Sequence, residues 1–281
     1  MVEHMEHWDG YATEELPPES VLFGRSPGMQ EVKTKLFRAC TTSVPLLLQG
    51  EAGVGKALLS RFVHERLYAD KGRYLCVNCA ALTDVWAPVA FSLALKNGAA
   101  GDGCRPERCS VATLFLDRVC ELSARSQRML AQLMADQEEL AASGKRGGPL
   151  QIIAATNHEL RQEVKKGRFR RDLFDFLAVV TIRMPPLRRR REDLAEMSEY
   201  LRLRWCAKLG AVGEDFPPDV MRRMLLYRWP GNICELESFI GRFVSLGAAN
   251  CGPVEASAGD PSNRAGGSDD NPSEGGHIWK N

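Results

Sequence analysis

Short apolar runs alternate with amphipathic stretches along the first two thirds of the chain. In the amphipathic stretches, such as the one containing Met29, Val32 and Leu36, apolar residues recur at helical spacing. The short runs predict buried strands at residues 44–48, 74–77, 111–116, 150–155 and 177–184. This alternation predicts an α/β fold with a mainly parallel sheet flanked by helices, whose ligand lies at the carboxyl ends of the strands.

Beyond Pro186 the pattern becomes purely helical, with apolar positions such as Leu194, Met197 and Leu201 at helical spacing. From Gly252 onward, Gly, Ser, Asp, Asn and Pro dominate, which is typical of disorder. We therefore expect four segments: a flexible leader at 1–19, an α/β nucleotide-binding domain at 20–185, a small helical domain at 186–250 and a disordered tail at 251–281.

Composition narrows the class of protein. The chain has 281 residues, of which 44% are hydrophobic, and this is enough to bury an α/β core and a second, smaller one. A net charge of +1 gives no overall attraction to nucleic acid or to a membrane. No apolar run approaches the roughly 18 residues of a membrane span. A cytoplasmic protein without membrane contact is expected.

The cysteines are scattered through predicted strands and helices, which favours reduced thiols. Four of them, Cys76, Cys79, Cys104 and Cys109, have a spacing that zinc ligands also show. Because Cys76 lies inside a strand pattern, packing in the core is the favoured interpretation.

The strongest chemical signal is the stretch Gly50-Glu51-Ala52-Gly53-Val54-Gly55-Lys56, which matches G-x-x-x-x-G-K between a strand and a helix. Glycines let backbone N–H groups approach phosphate oxygens, and the helix start and Lys56 add positive charge. The alternative is a plain strand-to-helix connection. Ala57 lacks the hydroxyl that usually holds Mg²⁺ after this lysine.

Further motifs occur in a familiar order over residues 20 to about 248. They are Leu22-Phe23-Gly24-Arg25-Ser26, the phosphate loop, Asn78 to Leu82, Thr113 to Asp117, Ala154-Ala155-Thr156-Asn157, Gly167 to Leu173, Pro185-Pro186-Leu187-Arg188 with Arg191-Glu192-Asp193, and Trp229-Pro230-Gly231-Asn232. In these motifs the chain resembles the AAA+ domain of bacterial enhancer-binding proteins, the sigma-54-dependent transcription activators. The helical domain then corresponds to the AAA+ lid.

The resemblance implies ATP and Mg²⁺ as cofactors, bound by Gly50 to Ala57, Asp117 and Asn157. It gives Lys56 the β- and γ-phosphates and Asp117 the Mg²⁺ ion, through water. Asn78 is implied as the switch of the catalytic carboxylate, Asn157 as the γ-phosphate sensor and Arg170 as an arginine finger. For Asn78 and Asn157, capping of a strand end is the alternative.

Three positions depart from the family pattern. Arg118 replaces the acid after Asp117, Phe176 occupies the second finger position, and Cys234 replaces the lid arginine. An arginine accepts no proton at neutral pH, so general-base assistance of about 10²- to 10⁴-fold is missing. The departures predict a pseudo-ATPase. Drift after loss of hydrolysis, or pairing of Arg118 with phosphate, would each explain the arginine.

The family's contacts with other macromolecules are also altered. Residues 96–103 replace the Gly-Ala-Phe-Thr-Gly-Ala loop that touches sigma-54, so that contact is not expected. No receiver domain is expected ahead of residue 20, and no DNA-binding module after the lid. Basic clusters such as 165–171 lack interleaved aromatic residues and predict a solvated or subunit-facing surface rather than a nucleic-acid site.

The sequence therefore favours an ATP-binding AAA+ protein that regulates DNA-templated transcription with weak or no hydrolysis. Its expected partners are ATP, ADP and AAA+ subunits of the same or a related kind. Two alternatives stay open: an active ATPase activator with atypical catalytic residues, and an interaction scaffold that no longer binds nucleotide.

Overall fold

The computed structural model describes residues 15–42, 44–68, 72–95, 111–142, 150–211 and 214–247. A five-stranded sheet forms the centre of the α/β part, in the order β2-β3-β4-β1-β5, and its neighbouring strands pair in parallel. The strands are β1 (Leu46–Gln49), β2 (Arg73–Asn78), β3 (Val111–Asp117), β4 (Gln151–Thr156) and β5 (Val180–Arg183). The predicted α/β fold with a parallel sheet is confirmed.

Helices connect the strands as parallel pairing requires. In the α/β part they are α1 (Glu19–Phe23), α2 (Pro27–Ala39), α3 (Lys56–Tyr68), α4 (Ala87–Leu95), α5 (Ala124–Ala142), α6 (Leu160–Lys165) and α7 (Arg171–Leu177). A 3₁₀ turn, Val119–Glu121, follows β3, and two more, Leu187–Arg189 and Arg191–Asp193, follow β5.

Side chains alternate between the two faces of the sheet, so each strand contributes to two cores. In β1, Leu47 packs with one core, which includes Leu114 and Ala154. Leu46 and Leu48 pack with the other. Because strands buried on both faces expose no polar row, they read in the sequence as continuous apolar runs.

The remaining helices, α8 (Leu194–Leu209), α9 (Pro218–Leu226) and α10 (Asn232–Leu246), surround a third core. Its centre is the buried Trp229, whose indole N–H donates to the Met224 carbonyl at 2.9 Å. Gly241 lets α10 approach α8, since a Cβ there would lie 2.8 Å from the Trp205 ring. This core corresponds to the helical segment expected after Pro186.

The structure corrects several element boundaries. The last strand is Val180–Arg183 rather than 177–184, because Leu177 closes α7. The first strand begins at Leu46 rather than at residue 44. Helices α1 and α4 were not anticipated, and the region proposed as a leader overlaps α1 at Glu19. Within the described residues, no helix is long and apolar enough to cross a membrane.

Candidate nucleotide site

The loop between β1 and α3 has the backbone of an anion cradle. Gly53 and Gly55 adopt φ angles of +75° and +98°, in the region that favours glycine. Among the described residues, the N–H groups of residues 53–58 have no hydrogen-bond acceptor. Several unpaired donors at the start of a helix form a site that attracts phosphate oxygens.

Lys56 lies at the base of this loop, and only 7% of it is exposed. Its ammonium group donates to the carbonyls of Gly50 and Glu51, both at 2.8 Å, and to Asn157 Oδ1 at 2.6 Å. Burial lowers the pKa of Lys56, while the nearby Asp117 carboxylate raises it. The phosphate-loop lysine and the predicted γ-phosphate sensor are therefore in direct contact.

The lid binds the phosphate loop residue by residue, and we call these contacts the loop–lid seam. The Ala52 carbonyl accepts from Asn232 Nδ2 at 2.8 Å, the Gly53 carbonyl from the Ile233 N–H at 2.9 Å, and the Val54 carbonyl from Arg190 Nη2 at 3.0 Å. Three consecutive loop carbonyls are thus paired with groups that follow β5. Their pairing leaves the loop N–H groups as the donors without partners.

A charged pair extends the seam. Arg188 holds the Glu51 carboxylate with both terminal nitrogens, at 2.7 and 2.5 Å. This hydrogen bonding lowers the pKa of Glu51. Gly53 has no room for a side chain, since a Cβ would lie 2.2 Å from the Gly231 carbonyl oxygen. The sequence motif around Gly231 therefore reflects close contact with the phosphate loop.

The buried carboxylate of Asp193 fastens the chain segment before α2 to the start of the lid. It accepts from the backbone N–H groups of Arg25 and Ser26, at 2.6 and 2.9 Å, and from the Ser26 hydroxyl at 2.6 Å. A Cβ at Gly24 would lie 2.2 Å from Asp193 Cγ. The fully buried Arg190 lies near Asp193; burial lowers its pKa to about 10, and the carboxylate opposes that shift.

Other predicted site residues lie at the carboxyl ends of the strands. Asn78 and Asp117 are register partners at the ends of β2 and β3. Asn78 Oδ1 accepts from the Ala80 N–H at 3.1 Å, so this side chain also caps the turn after its strand. Asp117 Oδ1 accepts from the Arg118 N–H at 3.0 Å, and the carboxylate lies near Lys56.

The three departures from the family pattern have different surroundings. Arg118 is exposed, and its φ angle is +54°. Within the described residues its side chain has no hydrogen-bond or ion-pair partner, and its charge lowers the pKa of Lys56. Phe176 packs against the apolar core on one face of the sheet. Cys234 is exposed on α10, near enough to Lys56 for their charges to interact.

Arg170 lies apart from the residues that contact Lys56. It precedes α7, and its exposed guanidinium pairs with Asp172 at 3.0 and 2.6 Å. Its backbone is positioned by the buried Gln127, whose Oε1 accepts from the Arg170 N–H at 2.9 Å. The amide of Gln127 also donates to the carbonyls of Leu122 and Arg168. Sequence reasoning missed Gln127, although a glutamine on the apolar face of α5 was a usable signal.

The cysteine pattern considered as a zinc site is tested only in part. Cys76 and Cys79 are buried, and Cys76 belongs to an apolar core as expected. Cys104 and Cys109 lie outside the described residues, as do the replaced loop at 96–103 and the proposed tail at 251–281.

Comparison with known families gives two adjoining matches. The family described as "Sigma-54 interaction domain" matches residues 22–183, and the family described as "AAA+ ATPase lid domain" matches residues 188–255. The first covers more than half of the chain. The second match begins within the first 3₁₀ turn, Leu187–Arg189, which supplies Arg188 to the loop–lid seam, and Arg190 directly follows that turn.

Similar proteins are transcription regulators. The chain is 33% identical over 243 residues to the DNA-binding transcriptional regulator NtrC of Azospirillum brasilense, covering 84% of this chain and 50% of that protein. It is 36% identical over 236 residues to XylR of Pseudomonas putida, covering 81% and 41%. The chain spans about half the length of the curated relatives it matches.

Solved structures show the same architecture. NtrX from Brucella abortus in complex with ATP aligns with a TM-score of 0.65 and 26% identity, covering 83% of this chain and 51% of that one. NtrX in complex with ADP aligns with a TM-score of 0.66 and 24% identity, covering 90% and 57%.

Proposed function

The chain belongs to the Sigma-54 interaction domain family of AAA+ proteins, and from this premise we propose that it is an ATP-binding regulator of transcription with little or no ATP hydrolysis. The observation that carries the proposal is a contrast within one site: the phosphate cradle keeps its donors, while an arginine occupies the place of the general base. The similarity to NtrX in complex with ATP supports the choice of nucleotide.

Nucleotide binding is supported by the donors at the loop. The N–H groups of residues 53–58 lack acceptors among the described residues, and Lys56 would exchange one of its protein acceptors for a phosphate oxygen. ATP supplies the phosphates, and Asp117 would hold Mg²⁺ through water. Asn157, which accepts a hydrogen bond from Lys56, would report on the terminal phosphate.

Weak hydrolysis follows from the chemistry of Arg118. A guanidinium stays protonated at neutral pH, so it takes no proton from an attacking water. The exposed side chain adds positive charge beside Lys56 and Asp117. Such a charge favours retention of bound phosphate over its activated hydrolysis. Phe176, which packs against the core, stands at the second finger position, so the finger segment lacks a second cation there.

Regulation through mixed rings is the output that the surface supports best. Arg170 is exposed and tied only to a neighbouring exposed carboxylate, so it is available to another AAA+ subunit. A subunit that binds ATP but does not hydrolyse it would inhibit the ATPase cycle of a ring formed with active relatives. We therefore propose that the partners are AAA+ subunits of the same or a related kind.

The binding half is tested by calorimetric titration of the purified chain with ATP and with ADP. Lys56→Ala removes a charge-assisted contact of about 1.5–3 kcal/mol, so affinity should fall roughly 10- to 150-fold. Lys35→Ala is the matched control, because Lys35 is an exposed lysine paired with Glu31 on α2. Equal binding by wild type and Lys56→Ala would identify the chain as a scaffold without nucleotide.

The hydrolysis half uses phosphate release from the same samples. Wild type should stay near background, and Arg118→Glu should raise turnover because it restores a carboxylate beside Asp117. Turnover by the wild type that disappears in Lys56→Ala would make the chain a working ATPase with atypical residues. That result would leave the binding proposal intact and overturn only the catalytic one.

A further inference from the structure

Three side chains with different donor atoms meet where β3 and β4 end. Cys120 and Glu121 lie in the 3₁₀ turn after β3, and His158 lies just beyond β4. The thiol sulfur, a carboxylate oxygen and a ring nitrogen of these residues all lie within 4.8 Å of one another. None of the three has a role in the nucleotide chemistry described above.

The local backbone explains why they converge. Strands β3 and β4 are paired neighbours, so the segments that leave them begin side by side. Thr156, the last residue of β4, accepts a hydrogen bond from the His158 N–H at 3.1 Å. Burial raises the pKa of the Cys120 thiol, and a hydrogen bond with the Thr156 side chain lowers it. One threonine side chain thus contacts both the Cys120 thiol and the His158 backbone.

The donor atoms are available. Glu121 and His158 are exposed and Cys120 is half-buried, so an ion can reach all three from solvent. Within the described part of the chain, neither the Glu121 carboxylate nor the His158 ring makes a hydrogen bond or an ion pair. If the cluster had only a structural role, these groups would be expected to form hydrogen bonds or ion pairs with one another or with neighbouring residues.

The donor set selects the metal. Zinc binds thiolate, imidazole and carboxylate, and sites with three protein ligands keep a fourth position for water or substrate. Magnesium prefers oxygen ligands and octahedral geometry, which a thiol and an imidazole do not supply. We propose that Cys120, Glu121 and His158 form a zinc site with an open fourth position at the carboxyl edge of the sheet.

This site is separate from the four-cysteine pattern and does not depend on nucleotide binding. Its ligands come from a turn and a strand end rather than from the phosphate loop. It lies close to that loop, since Asn157, the residue before His158, accepts a hydrogen bond from Lys56 at 2.6 Å. Tests of the site therefore need no nucleotide.

The experiment is a Co²⁺ titration of the reduced full chain without nucleotide, followed by competition with Zn²⁺. A thiolate ligand gives cobalt an intense near-ultraviolet charge-transfer band, and tetrahedral coordination intensifies its visible bands. Wild type should show both, with one equivalent bound at the site, and Zn²⁺ should abolish them. A large excess of Mg²⁺ should leave them unchanged.

Variants assign the ligands. Cys120→Ser should lose the charge-transfer band, and His158→Ala should weaken Co²⁺ binding by more than about tenfold. Cys234→Ser is the matched control, because it removes an exposed thiol elsewhere near Lys56 and should behave as wild type. Since His158 is exposed, its variant should fold normally, as circular dichroism would check. An unchanged band in Cys120→Ser, or unchanged affinity in His158→Ala, would overturn the proposal.

Discussion

The loop–lid seam and the outer edge of the site are built in opposite ways. Along the seam, the carbonyls of Ala52, Gly53 and Val54 are each paired with a group that follows β5, and Glu51 is clamped by Arg188. We call the second region the finger edge; it comprises Arg118 and residues 163–172. There the charged side chains are largely exposed. The ion pairs, such as those of Arg168 with Glu163 and Arg170 with Asp172, join residues close in sequence.

The difference separates two requirements of the same nucleotide site. Holding phosphate depends on backbone geometry, and the seam secures that geometry through contacts distant in sequence. Hydrolysis depends on a few side chains. Arg118 at the finger edge is one of the three positions named above as departures from the family pattern, and Phe176 and Cys234 lie outside that edge. Substitutions at the finger edge cost little packing, because an exposed side chain leaves no cavity and no unpaired buried group behind.

The largest contrast should come from glycine substitutions in the two regions. Gly53→Ala places a Cβ 2.2 Å from the Gly231 carbonyl oxygen at a φ of +75°. Backbone strain of about 1 kcal/mol and overpacking of about 2 kcal/mol should together lower the free energy of unfolding by about 3 kcal/mol. Gly167→Ala is the matched control, since its φ is +69° but nothing lies within 4 Å of the added Cβ.

Urea denaturation of both variants makes the measurement. Gly167→Ala should lose about 1 kcal/mol, from strain alone. Equal losses in the two variants would mean that the seam adds nothing to the stability of the phosphate loop. The contrast drawn between the two regions would then be wrong.

A smaller effect is expected from pH, through a histidine on the helix that starts at the phosphate loop. His64 Nδ1 hydrogen-bonds the Thr113 hydroxyl at 2.8 Å, and its ring packs against Tyr68 and Tyr74. Burial lowers the pKa of His64 below its ordinary value of 6.5, and Arg61 adds to the shift. The unfolded chain therefore binds the proton more readily than the folded one.

The sign of the pH effect follows from that difference. The stability contributed by neutral His64 is fully present above the unfolded-state pKa and is lost as the pH falls below it. Unfolding free energies at about pH 8 and about pH 5.5 should differ less in His64→Gln than in wild type. The same slope in wild type and His64→Gln would contradict the prediction.

The smallest effect on stability should come from the finger edge itself. Arg170→Ala removes an exposed pair with Asp172, so the melting temperature should stay within error of wild type. Its effect on output should be visible all the same. Co-expression of the chain with an active relative should lower promoter activity with dose, and Arg170→Ala should weaken that inhibition.

Two results would count against the mixed-ring proposal. One is inhibition by Arg170→Ala as strong as that by the wild type. The other is promoter activation by the purified chain alone. Arg223→Ala serves as the control, because Arg223 is an exposed arginine that pairs with Asp219 on α9, away from the finger edge.

Much of the fold was readable from the sequence, because buried parallel strands produce unbroken apolar runs. All five strands were expected, and the boundary at Leu177 moved because an apolar run continues from α7 towards β5. Helix α4 was missed for the complementary reason. Its sequence, APVAFSLAL, is apolar on nearly every side and has no polar face to reveal the helical period.

For the site, the loop from Gly50 to Lys56 was found because its chemistry is contiguous in sequence. The contacts that hold it were not contiguous. The paired groups at Asn232 and Arg190 lie more than a hundred residues from the loop carbonyls that they meet. Gln127 was overlooked and Asp193 was noted only as part of a motif, because one polar residue in a helix or turn does not indicate its distant partner.

By itself, the sequence determined the parallel α/β fold, the phosphate loop, and the arginine that follows Asp117. These follow from residue types and local spacing, because such local features do not depend on where the segment lies in the tertiary structure. Only the tertiary structure decided that the lid pairs with the loop carbonyls, that Lys56 meets Asn157, and that Cys120, Glu121 and His158 converge. Those contacts depend on which strand ends become neighbours, and that is settled by packing of the whole chain.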